Sequence, residues 1–183
     1  MDEYCGIDEA GRGCFAGDLV VAGVILSKNI EKLTDSKKLS SKVRESLYNE
    51  IILNSRYHIV SFASSKIDEI GLSKCIALAL HEIKEKIKAP KYIFDGNSSF
   101  GVKGIETMVK ADALLSNVSG ASILAKITHD KAILKLAMEF PLYEFEKNKG
   151  YGTQKHLQAI KEHGYTPHHR KSFKIKQSPS LFD

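Results

Sequence analysis

Residues 19–26 read LVVAGVIL, an almost unbroken apolar run rich in valine. Such a run predicts a strand buried on both faces, and a strand of that kind needs helices on either side of its sheet. Just before it comes YCGIDEAGRGCFAG, residues 4–17. Tyr4, Cys5 and Ile7 open a second strand, paired with the first in the middle of the sheet, which carries Asp8 and Glu9 to a loop containing Gly11, Arg12 and Gly13. Two adjacent carboxylates at the end of a buried strand repel each other and resist desolvation. Either a cation neutralises them or one stays protonated. A hard divalent ion such as magnesium suits the place, because it takes carboxylate oxygens and keeps positions open for water and phosphate. Successive strand residues point to opposite faces, so Asp8 and Glu9 share one ion only if the strand ends or distorts there, or if one acts through water. The same spacing also fits a strand followed by a turn with an exposed acid pair.

The order of elements then repeats this arrangement. TDSKKLS, residues 34–40, is a polar turn that brings Lys37 and Lys38 to the start of a helix over 41–54, with Val43, Leu47 and Ile51 as its apolar stripe. Residues 57–63 predict a third strand. Residues 72–87 predict a long helix burying Ile76, Leu80, Ile83 and Ile87 and ending before Pro90. A short strand over 91–94 ends on Asp95, and the alternation of Ile105, Thr107 and Val109 predicts a fifth strand leading to Lys110, Ala111 and Asp112. One Asp beside Gly is an ordinary turn residue, but three at strand ends are better explained by a site. Residues 118–140 read as mostly helical, with Ile123, Ile127, Ile133, Leu134 and Leu136 available to the core. Ser122, Lys126 and Asp130 fall on one face of that helix. That face reads either as a solvated surface with a Lys126–Asp130 pair or as an accessory to the site, with Asp130 as a reserve acid.

The carboxy-terminal quarter differs in character. A helix over 153–163 turns Leu157 and Ile160 inward and stops at Gly164. Tyr151 lies between Gly150 and Gly152, a setting for turn packing or for a stacking platform. His168 and His169 are neighbours, which is not by itself a ligand arrangement. The chain has 183 residues and a formal net charge of +5, and residues 145–183 contain eight Lys or Arg against three acids, so this segment carries the whole surplus. A basic segment suits a polyanion, although most charge runs are simply solvated. The length suits one sizeable core. Asp2 and Glu3 stand where a signal peptide would be positive, and no apolar run approaches membrane-spanning length, so a soluble cytoplasmic protein is expected. Cys5, Cys14 and Cys75 lack metal-like pair spacing and read as reduced core thiols.

GIDEAGRG, followed by DSKKL at 35–39, FDGN at 94–97, KAD at 110–112, ASILAKITHD at 121–130, NKGYGT at 148–153 and HRKSF at 169–173, resembles in content, order and spacing the motifs of bacterial ribonuclease HII, the type 2 ribonuclease H. The resemblance covers nearly the whole chain. It implies a ribonuclease H-like α/β fold: a central mixed sheet of five strands flanked by helices, with a catalytic core over 1–140, a small helical nucleic-acid-gripping part over 141–176 and a tail over 177–183. It implies that Asp8, Glu9, Asp95 and Asp112 are catalytic acids holding magnesium or manganese. It further implies that Gly11, Arg12 and Gly13 read the ribose 2′-hydroxyl, that Tyr151 stacks on the next sugar, and that Lys37 and Lys38 face the backbone. The implied substrates are RNA–DNA hybrids and duplex DNA with embedded ribonucleotides, cut on the 5′ side of the ribonucleotide to leave 3′-hydroxyl and 5′-phosphate ends, in ribonucleotide and primer removal. A monomer is expected. Cys14 and Asp18 depart from the usual prolines of the family, and Gly120 from its usual alanine. The rival readings are a type 1 or type 3 ribonuclease H needing runs of ribonucleotides, and a non-catalytic nucleic-acid-binding module. The tail QSPSLFD, residues 177–183, looks like the short peptides that bind the replication sliding clamp, and the alternative is that Leu181 and Phe182 fold back on the domain.

Overall fold

The computed structural model describes residues 4–31, 33 and 40–174. Lys37, Lys38 and the tail 177–183 lie outside them. Five strands, β1 (Tyr4–Ala10), β2 (Leu19–Leu26), β3 (Ser55–Phe62), β4 (Lys91–Asp95) and β5 (Glu106–Met108), form one sheet in the order β3-β2-β1-β4-β5. β3, β2 and β1 are antiparallel neighbours, whereas β1, β4 and β5 run parallel, so the sheet is mixed. The helices are α1 (Ser41–Leu53), α2 (Ser64–Ile70), α3 (Leu72–Lys86), α4 (Ser116–Glu139), α5 (Phe145–Asn148) and α6 (Gln154–His163).

The period of two along the central strands sends alternate residues to opposite layers. Cys5 and Ile7 of β1 join Leu19, Val21 and Ile25 of β2 in a core closed by Ile76, Leu80 and Ile83 of α3. Ala10, Val20, Ala22 and Val24 enter the opposite core, with Leu47 and Ile51 of α1 and Ala121, Leu124 and Ala125 of α4. The apolar run of β2 is thus covered on both faces. A third core, of Ala16, Ile133, Tyr143, Phe145, Ala159 and Ile160, attaches the carboxy-terminal helices to the end of α4.

The seat of α4 is set by contacts that tolerate no extra atom. A Cβ on Gly6 would stand 2.3 Å from the backbone of Asn117 and Val118. The Asn117 side chain accepts from Leu26 N at 3.1 Å and donates to Tyr4 O at 2.6 Å, which ties the start of α4 to β1 and β2 together. This close approach brings the polar residues of α4 over the end of β1.

Several local expectations are corrected. Val43 is 40% exposed and Leu134 43% exposed, while Leu47, Ile51 and Ile133 are buried. Adjacent helical residues are about 100° apart, so Ile133 and Leu134 cannot both face the same core. α2 is an additional short helix, separated from α3 by Gly71 at φ 85°, and its single buried apolar residue, Ile67, leaves no periodicity to read. β5 is not half-buried: all three of its residues are exposed, and of the alternating set only Ile105, just outside it, packs on a core.

Candidate active site

The pairing of β1 with β4 stops at Ile7↔Phe94, whereas its pairing with β2 continues to Ala10↔Val20. The sheet therefore opens just beyond the carboxyl ends of two parallel strands, where open α/β sheets place their ligand crevices. Asp8 emerges on one side of the opening and Asp95 on the other. Asp112 follows β5 in a single 3₁₀ turn, Ala111–Ala113, entered through Lys110 in the left-handed region. Asp8, Asp95 and Asp112 each offer a carboxylate oxygen, and these oxygens lie within 4.8 Å of one another. Asp95 accepts from the backbone amides of Ala111 and Asp112, both at 3.4 Å, and the Ser119 hydroxyl donates to Asp112 O, so the turn is held from both ends.

Burial dominates the electrostatics. It pushes the Asp8 carboxyl up to about 8, with the nearby charges of Glu9 and Asp95 adding to the effect against hydrogen bonds from Ser122 and Glu9 N. The last of these, to Asp8 Oδ1, is 2.7 Å long. Burial raises Glu9 as well, opposed by Arg12, whose Nη1 lies 3.4 Å from Glu9 Oε1. Asp95 is raised by burial and by Asp112. The second Glu9 oxygen, Oε2, is buried with no hydrogen-bond partner among the described residues. Glu9 stays outside the group of three but lines the same cavity of about 560 Å³, together with Asp8, Asp95, Arg12, Arg44, Ser122, Lys126 and Tyr151.

The loop over 11–17 is held from behind by two distant segments. Gly11 adopts φ 80°, and a Cβ there would meet Asp18 O at 2.4 Å and the His129 ring at 2.5 Å. Arg170 is fully buried; its guanidinium donates twice to Gly17 O, at 2.9 and 3.2 Å, and once to Arg12 O at 3.2 Å. Phe15 N and Ala16 N donate to Gly150 O, and Cys14 bridges Tyr151. Arg12 and Gly13 remain exposed, with the Arg12 guanidinium 5.4 Å from the Phe100 ring centre. The glycines beside Tyr151 serve this contact. A Cβ on Gly150 would lie 2.3 Å from Ala16 O, and one on Gly152 would lie 2.6 Å from the Phe15 ring. Tyr151 is 44% exposed, and Lys126 Nζ lies 6.0 Å from its ring centre.

Asp130 belongs to a different cluster. It accepts from Lys126 Nζ at 2.9 Å and His129 Nδ1 at 3.1 Å. Against the upward push of burial, these bonds hold it below the usual carboxylate range. His129 Nε2 in turn lies 3.6 Å from Cys14 Sγ, and burial pushes that thiol up to about 11. All three cysteines are free and buried, as expected of core thiols. Sequence reasoning passed over Arg44, which lines the cavity from α1, and the role of Arg170. A lone arginine on a helix and one in a basic run carry no signal of direction; only HRKSF, as a motif, pointed to the second. His169 is also buried, against His156.

The sheet order and the helical layers on both faces are those of the ribonuclease H-like fold, which defines the structural class. The ribonuclease HII family model matches residues 5–176, and the chain belongs to that family, whose enzymes cleave the RNA of RNA–DNA hybrids. Ribonuclease HII of Sulfurovum sp. strain NBC37-1 is 51% identical over 180 residues, 97% of this chain and 96% of its own. That of Campylobacter hominis is 54% identical over 184 residues, 99% of each chain. Among solved structures, ribonuclease HII of Archaeoglobus fulgidus, in its complex with PCNA, superposes with a TM-score of 0.82 at 27% identity, covering 96% of this chain and 97% of its own. Membership of an enzyme family sets aside the non-catalytic binding module. No described helix is long and apolar enough to cross a membrane.

Proposed function

We propose that this chain hydrolyses the phosphodiester on the 5′ side of a ribonucleotide, in hybrids and at single ribonucleotides in duplex DNA, with Asp8, Glu9, Asp95 and Asp112 as its catalytic acids. The observation that carries this reading is the meeting of three carboxylate oxygens within 4.8 Å at the open end of β1 and β4. The donor set fits a hard divalent cation: it is all oxygen, Asp8, Glu9 and Asp95 are raised by burial and by neighbouring acids, and Glu9 keeps a buried oxygen with no hydrogen bond among the described residues. Magnesium or manganese held by these acids supplies charge for activating water and stabilising the leaving oxygen. Arg12, Lys126 and Tyr151 line the same cavity and suit a phosphate backbone with a sugar stacked against it.

Arg12 and Gly13 are exposed on the loop that Arg170 clamps through Arg12 O and Gly17 O, with Gly11 buried beside them, and this loop suits close backbone approach to a 2′-hydroxyl. Tyr151 stacks on the sugar that follows, and Lys37 and Lys38 extend the backbone contacts. The biological roles in this reading are removal of misincorporated ribonucleotides and of RNA primers. The tail 177–183 docks on the sliding clamp, a reading supported by the PCNA complex of the Archaeoglobus relative. The central test is cleavage of a duplex carrying one ribonucleotide, with and without magnesium or manganese. Asp8→Asn, Asp95→Asn and Asp112→Asn are each expected to remove most activity with the fold retained. Full activity in any of them overturns the acid assignment, and a requirement for several consecutive ribonucleotides overturns the substrate. Clamp binding to the full chain and to one truncated after Lys176 tests the tail; equal affinity refutes docking.

A further inference from the structure

Two imidazoles from the carboxy-terminal part meet in the third core. His156 lies in the first turn of α6 and His169 in the segment after it, and their Nε2 atoms are 3.0 Å apart. Both are buried, His156 at 0% and His169 at 2% exposure. The surrounding partners leave one arrangement of protons. His156 Nδ1 faces the Tyr151 carbonyl at 2.8 Å, and a carbonyl only accepts, so Nδ1 carries the hydrogen and Nε2 is bare. His169 Nδ1 accepts from Thr166 N at 2.8 Å, so that nitrogen is bare and Nε2 carries the hydrogen. The result is a one-directional chain: Thr166 N–H to His169, His169 to His156, His156 to Tyr151 C=O. Burial pushes His169 down to about 4 and His156 below its ordinary value, which agrees with two neutral rings.

The far end of this chain is the backbone of the residue whose ring enters the acid-lined cavity. Tyr151 N donates to Asn148 O at 2.9 Å, the Tyr151 carbonyl also accepts from Thr153 N at 2.8 Å, and the preceding Gly150 O is held by Phe15 N and Ala16 N. His156 Nδ1 is the side-chain donor on that carbonyl, and it ties the Tyr151 peptide to α6.

We propose that His156 and His169 are positioning residues for the reaction: their relay fixes the Tyr151 backbone and thereby the ring that meets the substrate. This rests on the reading of Tyr151 as the residue stacked at the ribonucleotide–deoxyribonucleotide junction.

The test joins a spectroscopic measurement to a double-mutant cycle. Nitrogen-15 NMR of the wild-type imidazoles at neutral pH is expected to show His156 as the Nδ1–H tautomer and His169 as the Nε2–H tautomer; any other pair overturns the relay. In kcat/KM on a single-ribonucleotide duplex, His156→Ala is expected to cost about tenfold, the loss of one buried hydrogen bond. It is expected to cost less than about twofold once Tyr151→Ala is present, while thermal stability drops equally in both backgrounds. His156→Asn, whose amide nitrogen replaces Nδ1 but cannot reach His169, is expected to recover most of the activity and little of the stability. Equal losses of kcat/KM in both backgrounds would mean that His156 acts through the fold alone and would overturn the inference while leaving the Tyr151 reading intact. If Tyr151→Ala itself leaves junction cleavage unchanged, the Tyr151 reading fails and the inference falls with it.

Discussion

Asp8→Asn is expected to disable the enzyme and to make the metal-free protein more stable. Asp8 is 9% exposed, and burial, with Glu9 and Asp95 close by, raises its carboxyl from 3.8 to about 8. Between those values the folded protein holds a proton that the unfolded chain has released, so stability falls as pH rises through this window. At pH 7 the window has been crossed for about three units, which corresponds to roughly 4 kcal/mol relative to strongly acid solution. Water penetration and relaxation reduce that to about 2 kcal/mol in practice. Asparagine keeps the oxygen that accepts from Glu9 N and does not titrate. Urea unfolding of both proteins in EDTA, from pH 5 to pH 8, is the assay. The variant is expected to be more stable at pH 7 by about 2 kcal/mol, with the difference growing toward pH 8 and shrinking toward pH 5. Millimolar magnesium should narrow the gap, because the wild type binds it more tightly in the folded state. A variant no more stable than the wild type in EDTA at pH 7 would refute the argument that these acids are held together at an electrostatic cost.

Three further outcomes follow from the packing. Gly6→Ala places a methyl 2.3 Å from the α4 backbone and should lower unfolding stability by about 3 kcal/mol, read from the urea midpoint. Arg170→Lys leaves one ammonium where a planar fork reached both Arg12 O and Gly17 O; a loss of about 2 kcal/mol is expected in the same assay. His169, lowered to about 4 by burial and by His156 and His168, with the Tyr143 and Tyr165 rings and neighbouring Arg170 around it, stays neutral in the fold while the unfolded chain protonates below about 6.5. Its contribution is therefore complete above that pH and is lost on acidification toward 4, by about 1–2 kcal/mol after screening by water; His169→Leu should flatten this part of the stability–pH curve.

Much of the frame was legible in order along the chain because its signals are local. The β2 run announced burial on both faces, and both cores confirm it. Asp8 and Asp95 were legible as acids ending strands. The periodicity of α3 and α6 placed Ile76, Leu80, Ile83 and Ile160 correctly inside, and Gly164 ends α6 at φ 79°. Where the local signal was weak, the reading slipped: α2 has one buried apolar residue, β5 is three exposed residues, and Val43 and Leu134 follow a stripe that the real contacts do not use.

By itself, then, the sequence determined the layered α/β class, the order of the strands' acids along the chain and the family, because burial periodicity and motif order are properties of a linear string. Only the tertiary structure decided how those acids meet. The separation of β1 from β4 after Ile7 lets Asp8 and Asp95 share a space, while Glu9 reaches the same cavity from outside the group of three. The fold also brought buried Arg170 behind the glycine loop and set His169 against His156. Each of these is a contact between residues distant in sequence, and its direction depends on how the helices seat on the sheet. The absence of one atom decides that seating: the α4 backbone at Asn117 and Val118 can approach β1 only because position 6 has no Cβ.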